Sequence, residues 1–392
     1  MKRISFWGGV LTVSVLVACK PAMKDRASAE VAQVSPIMLV GSYADVAQEG
    51  VKAFRFEEDS VRATYLCGLS GLSNPSFLVP TKDGKHLYAV KEDEGQTAGA
   101  YAISFDAENG RMTLLNEVAT QGGAPCHITL DPSERFVVTA NYFGGNISIM
   151  AVDDSGRLKE PVCVIPFTGK SADPERQTKP YLHAVRFSPD GRFLLADDLG
   201  TDRIHIFPVN EKAVAGRPNS LVKPDGMTDV EVKPRNGPRH LVFHPNGRYA
   251  YLINELSGNV VVFDYADGKL ATKQYLEADT LHAGGSADIQ LSPDGRFLYA
   301  SNRLKADGIA IFKIDAQDGT LTRIGYQPTG IHPRGFALTP SGRYLLAACR
   351  DSHCIQIFRR DEQTGLLMDT GQVVEMNKPV CIRFLERPVS PA

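Results

Sequence analysis

The sequence predicts an all-β chain folded as a seven-bladed β-propeller with four antiparallel strands in each blade, and three observations carry that prediction. One short turn recurs down the chain: Pro189-Asp190-Gly191-Arg192, Pro245-Asn246-Gly247-Arg248, Pro293-Asp294-Gly295-Arg296 and Pro340-Ser341-Gly342-Arg343, with Lys82-Asp83-Gly84-Lys85 and Pro132-Ser133-Glu134-Arg135 in the same frame. The glycines at 191, 247, 295 and 342 lie 56, 48 and 47 residues apart, a spacing that suits one propeller blade per unit. No apolar run keeps a helical period long enough for a major helix, while 35 glycines and 24 prolines punctuate short β-rich segments.

The best-formed copy is Gly237 to Tyr265, GPRHLVFHPNGRYAYLINELSGNVVVFDY. Its first strand, Arg239 to His244, alternates apolar with polar, and the turn follows because Pro presets φ and Gly accepts a positive φ. Tyr249 to Asn254 and Val260 to Tyr265 are the second and third strands, rich in the β-branched and aromatic residues that suit a pleated surface. Such a unit cannot bury its own faces, so neighbours stack. Fourth, outermost strands are expected at Met112 to Val118, Leu321 to Gln327 and Leu366 to Val373. The poorly patterned Asn210 to Asn236 and Leu276 to Ser286 read as excursions over one face.

Six turns are visible, and the two ends supply the seventh blade. Pro379 to Phe384 matches the start of a first strand and then stops, whereas Ile37 to Tyr43, Val51 to Phe56 and Ala63 to Gly68 are strands with no first strand before them. Pairing the last strand with the first three closes the ring and removes an open edge.

The amino terminus is separate. Met1-Lys2-Arg3 is basic, and Ile4 to Val17 is apolar but too short to span a bilayer as a helix. Leu16-Val17-Ala18-Cys19 resembles a bacterial lipobox, which makes residues 1–18 a lipoprotein signal, Cys19 the lipidated residue, 19–35 a flexible tether and 36–392 the propeller domain. The expected location is outside the cytoplasm, membrane-anchored through the lipid alone; an ordinary secretory signal that happens to contain Cys is the competing reading. Six cysteines remain, with no C-x-x-C pair, and they read as small buried side chains; Cys349 and Cys354, around one turn, are the pair closest to a disulfide spacing. A net charge of −2 argues against a nucleic-acid partner.

Chemistry is expected where hairpins open. Eight residues before the turn position stand Ser76, Cys126, His183, Arg239, Ala287 and Arg334; eight after it stand Glu92, Tyr142, Leu199, Glu255, Arg303 and Arg350. Equal distances from a turn predict that such pairs face each other, at the same end of every hairpin. Beside them lie His127, Asn141, Asp198, His240, Asn254, Asp288 and Asn302. A ring of His, Arg and Glu around one mouth of a channel is a candidate site for an anionic ligand, since Arg binds carboxylate or phosphate bidentately and Glu or His can activate water. Exposed rim charges and Asn side chains that cap turns are the structural alternative. G-x-S-x-G, H-E-x-x-H, Walker A and G-x-G-x-x-G motifs are absent.

His183-Ala184 with the SPDGRFLLADDL that follows, Gly237-Pro238-Arg239-His240, Asn254-Glu255-Leu256, Ala287-Asp288-Ile289, Asn302-Arg303 and Pro333-Arg334-Gly335-Phe336 together resemble the lactonase family of seven-bladed propellers. That family includes the propeller type of 6-phosphogluconolactonase and the fungal carboxymuconate lactonizing enzymes. The resemblance spans about Pro36 to Leu385. It implies a carboxylic ester hydrolase that opens a sugar lactone without metal or cofactor, with His183, Arg239 and Glu255 catalytic. Arg334, Arg303, His127, Asn141, His240 and Asn254 would hold the substrate, in a chain acting as a monomer. Two other readings stay open: a non-catalytic ligand-binding or scaffold propeller at the cell surface, and a calcium-dependent lactonase using Asp198, Asn254 and Asp288.

Overall fold

Residues 1–5, 7–9, 35–210, 212–213 and 221–385 are described by a computed structural model. Most of the signal and tether segments, with Cys19, lie outside the described residues. The propeller unit begins at Ser35.

Among the described residues there are seven four-stranded antiparallel sheets. The terminal blade has the order Pro379–Phe384, Ile37–Ser42, Val51–Glu57, Arg62–Leu69, so the last strand is innermost and the first three complete it. Met38 pairs with Phe384 and Val40 with Ile382. The clasp buries Met38, Val40, Phe56 and Ile382 against Leu346, Ile355 and Ile357 of the preceding blade, so closure rests on an apolar core as well as on a ladder.

The repeated turn works as its composition predicts. Gly84, Gly191, Gly247, Gly295 and Gly342 all have φ between 68° and 74°, and Glu134 holds the same left-handed position at φ 56°. Glu134 gains something in exchange: its carboxylate accepts a hydrogen bond from Lys82 N, at 2.7 Å, in the neighbouring blade. Between blades, Tyr88, Tyr251 and Tyr299, each four residues after its turn position, are fully buried and donate to Gly156 O, Gly319 O and Gly365 O at 3.1, 3.0 and 2.8 Å. A buried phenol needs an acceptor, so this recurring bond satisfies the ring while fixing the blade-to-blade register.

Two expectations are corrected. Asn210 to Asn236 is not wholly irregular: Thr228–Glu231 within it pairs with Arg203–Pro208 as the outer strand of its blade. Two of its four residues are acidic, and it is largely exposed, so it lacks the alternation by which the other strands were visible. The first strands of two blades are also short, Leu78–Pro80 and Ile289–Leu291, so Ser76 and Ala287 precede them.

Candidate active site at the open end of the channel

A departure from simple hairpin geometry lies where the chemistry does. Equal spacing from the turn predicts Arg239 opposite Glu255, but in the register between Pro238–Phe243 and Tyr249–Asn254, Pro238 faces Asn254 and His240 faces Ile253. Arg239 is the extra residue of a β-bulge. The same one-residue slip leaves Cys126, His183 and Arg334 unpaired in their blades, and Val380 in the terminal blade. A bulge re-aims the side chain of its extra residue. The alternation of the inner strand is thereby broken at one level in five of the seven blades, and His183 and Arg239 converge there with Glu255.

Glu255 is the hub of this level, at 7% exposure. Its Oε2 accepts from Arg239 Nε at 2.9 Å and lies 3.4 Å from Arg303 Nη2 and 3.5 Å from His183 Nε2; its Oε1 accepts from Arg176 Nη2 at 2.7 Å. Burial opposes ionisation of Glu255, but the hydrogen bond from His183 and the charges of Arg303 and Arg239 outweigh it and hold the carboxyl well below the usual range. His183, 4% exposed, is pushed down to about 3, first by burial and then by Arg239, so it is neutral. A neutral ring that donates Nε2–H to Glu255 leaves Nδ1 as an acceptor, 3.7 Å from Cys126 Sγ. Burial drives that thiol up, so Cys126 is a packing group.

The guanidiniums are held at fixed angles. Arg239, 1% exposed, donates Nη1 to Ala287 O at 2.5 Å and points Nη1 at His240 Nε2, 3.3 Å away. His240 therefore carries its proton on Nδ1 and donates to Asp288 Oδ1 at 2.9 Å. Arg303 donates Nε to Gly285 O at 2.6 Å and packs Nη1 3.2 Å from His332 Nε2; burial lowers its pKa to about 9. Arg334 lies 5.2 Å over the Tyr43 ring and 3.5 Å from Glu92 Oε1, which also accepts from Tyr43 at 2.8 Å. Ser76 holds the other oxygen of Glu92.

Several expected residues do not join the cluster. Asn141 spends its amide on Asn146 and Ser148 within its own blade, and Asn254 donates to Asn259 O at 2.9 Å. His127 lies deeper, its ring 4.1 Å from Phe77 and 5.4 Å from His240, with burial holding it neutral. Arg350 pairs with its neighbour Asp351. Asp198 accepts from Tyr181 N and Gly200 N and shapes a loop, while Asp288 accepts from Ile289 N and Phe336 N; with Asn254 they occupy three separate hydrogen-bond networks rather than one ion site. Cys349 and Cys354 face each other across their hairpin as free thiols.

Arg176 was missed by sequence reasoning because it belongs to no repeat: it sits in the loop between Leu158–Pro166 and Leu182–Phe187. Its anchor is Gln177, fully buried, which donates to Leu199 O at 2.9 Å and accepts from Asp173 N at 3.0 Å. Tyr43 follows the second strand of the terminal blade, the place that Glu92 and Tyr142 hold eight residues after their turns; it was missed because that blade is split between the chain ends and offers no turn to count from.

Residues 37–384 match the family model described as lactonase, 7-bladed beta-propeller. A protein named 6-phosphogluconolactonase from Formosa agariphila is 40% identical over 346 residues, 87% of this chain and 97% of that one. A solved Bacteroides fragilis structure is 48% identical and superposes with a TM-score of 0.87 over 91% of this chain and 99% of its own. The solved periplasmic gluconolactonase of Pseudomonas aeruginosa is 31% identical with a TM-score of 0.83, covering 90% of this chain and 99% of its own.

Proposed function

The chain belongs to the family of seven-bladed β-propeller lactonases, and on that premise we propose that it hydrolyses the lactone of an aldonic acid at the open-end mouth of its channel. The observation that carries this reading is Glu255, a buried carboxylate touched by three guanidiniums and one neutral imidazole. Arg176, Arg239, Arg303 and Arg334 bring four positive charges against the two of Glu255 and Glu92. That surplus suits a ligand whose oxygens acquire negative charge during reaction, and a fixed array of donors stabilises such charge without reorganising.

In the reaction we propose, a water oxygen bonds to the lactone carbonyl carbon and passes a proton to Glu255 Oε1. Arg239 and Arg334 stabilise the resulting oxyanion. The ring C–O bond then breaks, the proton moves to the departing ring oxygen, and the open-chain acid ionises. In the resting site Glu255 is a weak base because its neighbours hold its pKa down. Arg176 is the partner that can leave, being 43% exposed at its side chain, while Arg239 is sealed in. When Arg176 turns to the substrate, Oε1 is released and its proton affinity rises. His183 keeps Oε2 in place and also opens a second route, through the free lone pair of Nδ1.

The exported character read from residues 1–18 favours an unphosphorylated aldonolactone over its phosphate, and the periplasmic neighbour is named a gluconolactonase. Purified protein given D-glucono-δ-lactone and its 6-phosphate should turn over both and show a kcat/KM for the free lactone at least equal to that for the phosphate. Saturable turnover of neither would replace the hydrolase with the non-catalytic surface propeller. We also propose lipidation at Cys19. Cells expressing Cys19→Ser should lose labelled palmitate from the protein and release it from the membrane fraction; retained label would place the acyl chain elsewhere.

A further inference from the structure

The inner strand carries a second level of charge. Five residues before the turn position, Arg186 stands in one blade, and Arg383 holds the matching place in the terminal strand. Of the other five positions at this level, none is charged, and Thr129 and Gln290 are the polar ones. These side chains open onto a cavity of about 440 Å³ whose rim includes the turn residues Pro293 and Pro340, so it lies at the opposite mouth of the channel from Glu255. Its floor is apolar, formed by Phe77, Leu291 and Ile382.

Neither guanidinium has a counter-ion among the described residues. Among the described residues Arg186 makes no ion pair or side-chain hydrogen bond, and Arg383 donates only to the carbonyl of Ile382, at 2.8 Å, while lying 4.5 Å over the Phe77 ring. The carboxylates whose fields reach Arg186 do not neutralise it by contact. Asp288 is bound to His240, and Asp197 has one oxygen with no partner and, through burial, a pKa pushed up to about 8. Arg186 is itself depressed, by burial and then by the charge of Arg383. Two like charges brought together beside an apolar floor cost free energy that an apolar pair would not. An arrangement of that kind is relieved by a group of the opposite charge.

We propose that the turn-side mouth of the channel is a second anion site, in which Arg186 and Arg383 clamp the oxyanion of a small organic carboxylate or phosphate whose carbon body rests on Phe77 and Leu291. Gln290, which donates to Asp288 Oδ2 at 3.4 Å, keeps its amide oxygen for a ligand hydroxyl. The volume suits a ligand of monosaccharide size. This site is separate from the lactone site. Phe77, His240 and Asp288 line a void of about 10 Å³, room for a single water at most, that is bordered by Arg239 and Arg334 of the lactone site and by Arg383.

Isothermal titration of the full-length protein tests this with two probes, inorganic phosphate and gluconate. Each should show one binding event fewer in the Arg186→Met/Arg383→Met double variant, gluconate keeping only its product binding at the open end, while turnover of glucono-δ-lactone stays within about twofold of wild type. A preference for gluconate identifies a carboxylate ligand, and a preference for phosphate identifies a phosphate ester. Unchanged titrations in the double variant would overturn the site. So would loss of turnover in a folded double variant, because it would make the channel one connected site. Should that variant fail to fold, crystals of wild type soaked in selenate decide the matter: an anomalous peak between Arg186 and Arg383 supports the site, and its absence at saturating selenate refutes it.

Discussion

The two mouths of the channel are built from the same seven inner strands, yet they treat arginine in opposite ways. At the open end a bulge turns His183, Arg239 and Arg334 out of the regular alternation, and Glu255 collects two of those three with Arg303 and Arg176. At the turn end the strands are regular, and Arg186 and Arg383 face the axis with no carboxylate in contact. The difference teaches that charge in the channel is set by register as much as by residue type. A one-residue slip creates a level at which side chains from several blades converge, and convergence supplies the counter-ion. Without the slip, the two guanidiniums share a cavity with no carboxylate in contact.

The largest expected effect lies at the hub. Glu255→Gln keeps the shape and removes the charge, so kcat for glucono-δ-lactone should fall by about 10²-fold or more, the span of a lost general base. It also leaves buried guanidiniums without their shared partner, a change worth about 3–5 kcal/mol of stability. The thermal midpoint should therefore drop markedly. A folded Glu255→Gln protein with wild-type kcat would remove the carboxylate from the mechanism. Arg239→Lys comes next: a lysine cannot bond Glu255 and Ala287 O from one rigid fork, and a loss of kcat near tenfold with little change in KM is expected. Among the described residues Arg334 has only Glu92 and Tyr43 as partners, and because it stabilises the oxyanion, Arg334→Met should lower kcat/KM by the roughly tenfold or more that a lost charged hydrogen bond costs.

How much of this was legible follows from where each residue sits. The blades were visible because turn residues with a demanding φ must recur, and the shared terminal blade because an unmatched strand at one end implies its complement at the other. His183, Arg239, Glu255, Arg303 and Arg334 were found by counting from the turn, although the count assumed a pairing that the bulge breaks. Asn141 and Asn254 were counted to the same level but close turns within their blades, since an amide next to a turn has backbone partners at hand. Arg176 left no trace in the repeat, because its place is set by buried Gln177 in a loop. Arg186 and Arg383 stood in the frame all along, but a single arginine at a strand position is indistinguishable from a surface charge until the ring is closed.

The smallest effect sharpens the comparison through pH. At the open end, His183 with a pKa of about 3 remains neutral in the fold down to a pH at which an unfolded histidine, near 6.5, has taken a proton. Its contribution to stability is thus lost as pH falls from about 6.5 towards 3, and the depressed Glu255 adds a loss of the same sign below about 4.3. Asp197, beside Arg186, has the opposite slope. Its folded pKa of about 8 against an unfolded value near 3.9 means that the fold holds a proton the unfolded chain has released, so stability declines as pH rises from about 4 to 8. Asparagine cannot release that proton. Asp197→Asn should therefore melt close to wild type at pH 4 and several degrees above it at pH 8, measured by differential scanning fluorimetry. An equal difference at both values would mean that Asp197 is ionised in the fold and already neutralises Arg186. The turn end would then resemble the open end, and the case for an anion there would rest on Arg383 alone.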